Sequence, residues 1–98
     1  MAIEIVYEEL RKLGSVKAGS DFSENWLGMQ EGYYRGLRNK RRDPSAKALA
    51  TCAVRLKRHA RMLEVSTFPQ VQRIANSYDM LAEHCVSALL TACESRRC

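Results

Sequence analysis

Apolar residues recur at helical spacing in five stretches of the chain, and turn-forming residues separate them. In the first stretch Ile3, Val6, Leu10 and Leu13 share one face, while Glu4, Glu8, Glu9, Arg11 and Lys12 fill the other. That spacing predicts an amphipathic helix over residues 3–13. Its glutamates lead and its cations trail, as the helix dipole favours, and Gly14 stands where a helix can end in a left-handed residue. After a loop over 15–19, a second helix starts from Ser20 or Asp21 as N-cap. It presents Phe22, Trp26 and Leu27 before Gly28 stops it in a tight turn. A third helix, over 30–39, turns Tyr34 and Leu37 inward. A fourth begins at Asp43 as N-cap with Pro44 as its first residue and buries Leu49, Cys52, Ala53, Leu56, Ala60 and Leu63. A turn over 64–68, capped by Thr67, leads into a fifth helix from residue 69 to residue 94.

The fifth helix carries a seven-residue repeat over three heptads: Val71, Ile74, Tyr78, Leu81, Cys85, Ala88 and Ala92. A helix of that length is too long for a domain this small to cover completely. Its partner is either a second copy, with Tyr78, Leu81, Cys85 and Leu89 as the dimer interface, or the first and fourth helices of the same chain. The expected fold is all-α, a five-helix helix-turn-helix domain with a long C-terminal helix. Residues 1–66 form the helix-turn-helix core, and residues 67–98 form the helix that packs on it, dimerises, or does both.

Charge sharpens this picture. The net charge of +5 is unevenly placed. Residues 1–33 carry three basic and six acidic side chains, a net of −3. Residues 34–62 carry ten basic and one acidic, a net of +9, and residues 63–98 carry three and four, a net of −1. The basicity is therefore a local block, the footprint of a polyanion contact, and it begins inside the third helix. Helix, short Gly-containing turn, helix is the arrangement of DNA readers that place the second helix in the major groove. On that arrangement Gln30, Glu31, Tyr33 and Arg35 face the bases: Gln and Arg match adenine and guanine edges, and Glu accepts from cytosine. Arg38, Lys40, Arg41, Arg42 and Lys47 lie along the phosphates. Gly32 and Gly36 share one face of the third helix although each costs about 1 kcal/mol relative to Ala there; their spacing admits close contact with DNA or with a neighbouring helix.

From Phe22 onward the chain resembles the helix-turn-helix domain of lambda-repressor-like (Xre-type) regulators. Ser23 takes the small position of the family's first motif helix, and Trp26-Leu27-Gly28-Met29 takes its Leu-Gly-Val position. Tyr34 and Leu37 are the two inward residues, and Pro44-Ser45, Leu49 and Leu56 close the match, which covers about half the chain. Arg38 stands where the family carries Glu, and Lys40 where it carries a loop Gly. The resemblance implies a sequence-selective double-stranded DNA binder, a small bacterial or phage transcriptional regulator. The chain also looks like a small uncharacterised bacterial family with YxxLRxLG (Tyr7–Gly14), FSxxWLG (Phe22–Gly28) and a Tyr-Tyr pair; that likeness implies no activity.

Other classes find less support. Ninety-eight residues make one domain with one modest core. No apolar run approaches the ~20 residues that span a bilayer, and the acidic N-terminal stretch does not read as a signal peptide, so a cytoplasmic protein without a membrane partner is expected. The four cysteines, Cys52, Cys85, Cys93 and Cys98, include no Cys-x-x-Cys pair, which argues against a zinc site. The first three read as small buried residues and Cys98 as an exposed one. His59, alone on a basic helix, reads as a surface residue. With no Gly-rich phosphate loop and no nucleophile–base set, neither an enzyme nor a cofactor is expected. The alternative to DNA binding is a non-catalytic helical adaptor for a protein partner. RNA binding ranks below both, because the aromatic-rich sheet surface of RNA readers is missing.

Overall fold

The computed structural model describes residues 2–95, with side chains over 3–92. It contains five helices: α1 (Ala2–Lys12), α2 (Gly19–Asn25), α3 (Tyr33–Lys40), α4 (Ala46–Glu64) and α5 (Pro69–Ser95). There is no strand among the described residues, and no helix among them is long and apolar enough to cross a membrane. The expectations for the Cys93 side chain and for Cys98 lie outside the described residues.

α4 and α5 form the frame, an antiparallel hairpin. Its turn is held by Ser66, whose hydroxyl accepts from the Phe68 N–H (3.2 Å) and whose carbonyl accepts from Gln72 Nε2 (3.1 Å). Ser66 thus does the work expected of Thr67. At 1.5 Å per residue α5 is about 40 Å long, which accounts for most of the longest dimension of the molecule, 46 × 29 × 17 Å.

The heptad positions Tyr78, Leu81 and Cys85 are buried inside this single chain, and Leu89 packs against the same core. Tyr78, Leu81 and Cys85 are thus covered within the chain, whereas Leu89 is half-buried. Their partner is the apolar stripe of α4 (Leu49, Cys52, Ala53, Leu56, Ala60), together with Ile3, Val6 and Leu10 of α1. Lys57 reinforces the hairpin by bridging Asp79 and Glu83, at 3.2 Å each. Glu83 and then Asp79 hold its ammonium pKa above the ordinary lysine value. Cys52 and Cys85 meet across the hairpin with their thiols hydrogen-bonded, and that contact together with burial pushes the Cys52 thiol far up. Burial is confined to the middle of the repeat: near the hairpin turn Val71 is half-buried and Ile74 exposed, and towards the far end Ala88 and Ala92 are half-buried.

α1, α2 and α3 lie against one flank of the hairpin. Tyr7, Phe22 and Tyr34 bring one ring from each helix into a cluster with centroids 4.6–5.2 Å apart; each such pair adds about 0.5–1.5 kcal/mol beyond area burial. Trp26 stacks on Tyr78 with centroids 6.0 Å apart. The starts of α2 and α4 differ from expectation. α2 begins at Gly19, and Asp21 instead accepts from the Lys17 N–H (2.9 Å) and from Asn25. Those two bonds, the backbone one first, hold its carboxyl below the ordinary range. α4 begins at Ala46 with Ser45 as N-cap, its hydroxyl accepting from the Ala48 N–H (3.2 Å). Pro44 is buried just outside the helix.

Candidate functional site

α3 has no capping side chain of its own, because its N-cap is Gly32. The cap comes from α2. Ser23 is fully buried; its hydroxyl donates to the Gly19 carbonyl (2.8 Å) and accepts from the Tyr34 N–H (3.0 Å). One of the four orphan N–H groups of α3 is thereby satisfied, and the two helices are locked in register. The connection between them is seated on α4 at Gly28, where φ is +67°. A Cβ there would lie 3.1 Å from Thr51 Cγ2 and 3.5 Å from the Arg55 guanidinium. Both the left-handed backbone and the close approach therefore require glycine. Arg55 completes the seat by donating to the Glu24 carbonyl at 2.9 Å.

The connection runs through residues 26–32, so α3 starts three residues later than its sequence pattern predicts. Gln30 and Glu31 are good helix formers, but they lie between the left-handed Gly28 and the N-cap Gly32. They stand exposed in the link before α3, not on the helix. Tyr33 is corrected more sharply. It is half-buried, and its hydroxyl accepts from the Ser45 N–H (2.9 Å), tying α3 to the start of α4. It therefore does not stand outward as a base reader. Of the four residues expected to read bases, Arg35 alone is an exposed side chain of α3.

The outward face of α3 carries Gly32, Arg35, Gly36 and Asn39. Asn39 was not among the expected base readers, yet it is exposed one helical turn after Arg35 and carries the amide fork that matches adenine. The i, i+4 spacing from Arg35 was the available signal. Neither glycine on this face is demanded by packing. A Cβ at Gly36 would meet nothing within 4 Å, and one at Gly32 would meet only the far end of Arg35 at 4.0 Å. Gly36→Ala is therefore expected to stabilise the fold by about 1 kcal/mol, which raises the melting temperature by roughly 4–8 °C in a chain of this size. A thermal melt checks this.

Arg38, Lys40, Arg41, Arg42 and Lys47 are all exposed, and none has an ion-pair partner among the described residues. They continue from the end of α3 into the start of α4. Arg41 is the most informative of them. It closes α3 in the left-handed region (φ 51°, ψ 44°), with the Arg42 N–H bonded to the Leu37 carbonyl at 3.0 Å. Glycine is the usual residue there, and a non-glycine residue costs about 1–2 kcal/mol. Glu4 and Asp43 line a hollow with Arg38 and Arg41 and temper the field locally. The remaining cations of the basic block divide by use. Arg55 and Lys57 are spent on the fold, whereas Arg58 and Arg61 are exposed further along α4.

His59 is exposed as expected but not isolated. Its ring lies 4.6 Å from Trp26 and 5.7 Å from Tyr78, with Nδ1 2.9 Å from the Arg55 carbonyl. Among the described residues no three His, Cys, Asp or Glu side chains come together as a metal site.

A family model described as a family of unknown function (DUF6626) matches residues 3–98, so the chain belongs to that family. No curated protein and no solved structure matches it. The likeness of residues 22–56 to repressor-type domains thus stays one of sequence pattern.

Proposed function

We propose that this family member binds double-stranded DNA, with α3 presented to the major groove and the Arg38–Arg42 segment along the phosphate backbone. The observation that carries this reading is the run of exposed, unpaired cations that continues directly from the outward face of α3, including an arginine kept at a left-handed position where glycine fits better. A cation held against backbone preference is accounted for by a contact outside the chain. The bare strip at Gly32 and Gly36 adds to this, because its missing side chains let the α3 backbone approach a groove wall. Arg35 and Asn39 are the base readers on this reading, and Gln30 and Glu31 meet the DNA from the link before the helix. Such a protein suits a small transcriptional regulator.

The test is a salt titration of binding to a random-sequence duplex pool, followed by sequencing of the retained DNA. A log–log slope near −4 to −5, about −0.9 per phosphate for the five exposed cations, with an enriched motif is the expected result. Arg35→Ala should then relax the motif while leaving random-sequence affinity within severalfold. Equal losses on specific and random duplexes would remove Arg35 from base reading, and no retention at low salt would end the DNA reading.

One observation favours the adaptor reading instead. Met62, Val65 and Phe68 are all exposed around the hairpin turn. That turn lies about 28 Å from the α3 end of the hairpin, the length of α4 at 1.5 Å per residue. The two readings use opposite ends of the molecule. A salt-insensitive association with a protein, abolished by Phe68→Ser but retained in Arg41→Gly, would therefore identify the second.

A further inference from the structure

A polar hollow of about 400 Å³ lies between α1, the start of α2 and α3, lined by Tyr7, Gly19, Tyr34, Arg35, Arg38 and Asn39. Tyr34 is 2% exposed and Tyr7 6% exposed. Each is a core ring, yet neither hydroxyl has a hydrogen-bond partner among the described residues. No sealed side-chain polar atom in the described structure lacks a partner. Both hydroxyls therefore keep contact with solvent, and both side chains line the hollow. Two tyrosines with free hydroxyls, two arginines and an asparagine thus line one hollow. Gly19 also lines it, and a Cβ there would sit in contact with the Tyr34 ring at 3.4 Å. The Arg38 guanidinium lies 5.9 Å from the Tyr34 ring centre.

We propose that this hollow is a phosphate subsite, in which the Tyr34 and Tyr7 hydroxyls donate to phosphoryl oxygens and Arg38 carries the opposing charge, while Arg35 and Asn39 at its rim stay with the bases. The chemistry fits. A phosphodiester presents acceptors only, and phenol and guanidinium groups can both donate to it. Burial pushes the Tyr34 hydroxyl up to about 12, so it remains a neutral donor through neutral pH. Glu4 and Glu8 of α1 are close enough to act on Tyr34 and oppose the anion in part, with Arg38 the stronger influence. The subsite deepens the DNA reading and rests on it for the source of the phosphate, a duplex backbone. The hollow itself suits a phosphate from any source.

The experiment has two arms, both on the full chain. In the first, inorganic phosphate is titrated at constant ionic strength against chloride while the Tyr ring and Arg Nε–H resonances are followed by NMR. Saturable shifts at Tyr34 and Arg38 that weaken in Tyr34→Phe are expected. In the second, duplex affinity is measured against salt. Tyr34→Phe should weaken binding about tenfold, the loss of a hydrogen bond to a charged group. Its log–log slope should stay unchanged, because a phenol releases no counterion; Arg38→Ala should instead lower the slope by about 0.9. Tyr7→Phe repeats both arms should Tyr34→Phe fail to fold. If the phenylalanine variant binds phosphate and duplex as the parent does, the subsite is refuted while the DNA reading stands. Saturable phosphate shifts without duplex binding would keep the subsite, assign it to a free phosphate compound, and end the DNA reading. Absence of both refutes both.

Discussion

A chain carrying Arg38→Ala, Arg41→Gly and Arg42→Ala together is expected to lose about 2.7 units of log–log salt slope, near 0.9 for each phosphate contact, which amounts to roughly 100-fold weaker binding to any duplex at about 0.15 M salt. The loss should be the same on specific and random sequence, because phosphate contacts position a protein without reading bases. The design keeps the fold out of the result. Arg41→Gly relieves a left-handed arginine and returns about 1–2 kcal/mol. Arg38→Ala gives up a guanidinium near the Tyr34 ring, about 0.5–1 kcal/mol. Arg42 is exposed, and its fold contact is the backbone bond to Leu37, which alanine retains. The melting temperature should therefore hold or rise while affinity collapses. Fluorescence anisotropy across a salt series, with a thermal melt beside it, separates the two. An unchanged slope would make these cations bystanders and remove the main support for a polyanion partner.

The number of helices and the outline of the core were legible in the sequence because they depend on local periodicity. The stripes of α1 and α4 and the heptads of α5 are each set by residues three and four apart, whatever they pack against. What required the folded chain was the identity of each partner. A heptad on α5 says that another helix covers it, not whose helix. The chain supplies that cover itself because the turn over 65–68 is short enough to return α5 along α4. The antiparallel return sets one register along the hairpin, in which Cys52 meets Cys85 and His59 meets Tyr78. The start of α3 was misjudged for a different reason: Gln30 and Glu31 favour helix by propensity, but the backbone around Gly28 and Gly32 decides. Tyr33 lies four residues before Leu37, a spacing that sets it beside the inward face of α3. The phosphate hollow was beyond the sequence, since it brings together a tyrosine of α1 and one of α3 that are 27 positions apart.

Truncation of Leu81 distinguishes a core residue from a dimer contact. Leu81 is 4% exposed in the single chain and belongs to the core cluster formed by α1, α4 and α5. Leu81→Ala is therefore expected to destabilise the fold itself by about 2–5 kcal/mol, the removed methyl groups plus the cavity they leave. Small domains hold only about 5–15 kcal/mol in total, so a loss of about 3 kcal/mol would lower the melting temperature by roughly 12–24 °C. Leu90 provides the control. It lies nine residues further along α5 but is 57% exposed, and Leu90→Ala should change stability by no more than about 0.5 kcal/mol. The discriminating variable is protein concentration. If Leu81 is used within the chain, the drop should be the same at all concentrations, because no association equilibrium is coupled to it. A parent whose midpoint climbs with concentration, and a Leu81→Ala variant that no longer climbs but keeps the dilute-limit midpoint, would return this residue to an interface between copies. Thermal melts over a hundredfold range of concentration, run beside sedimentation of both chains, decide between the two.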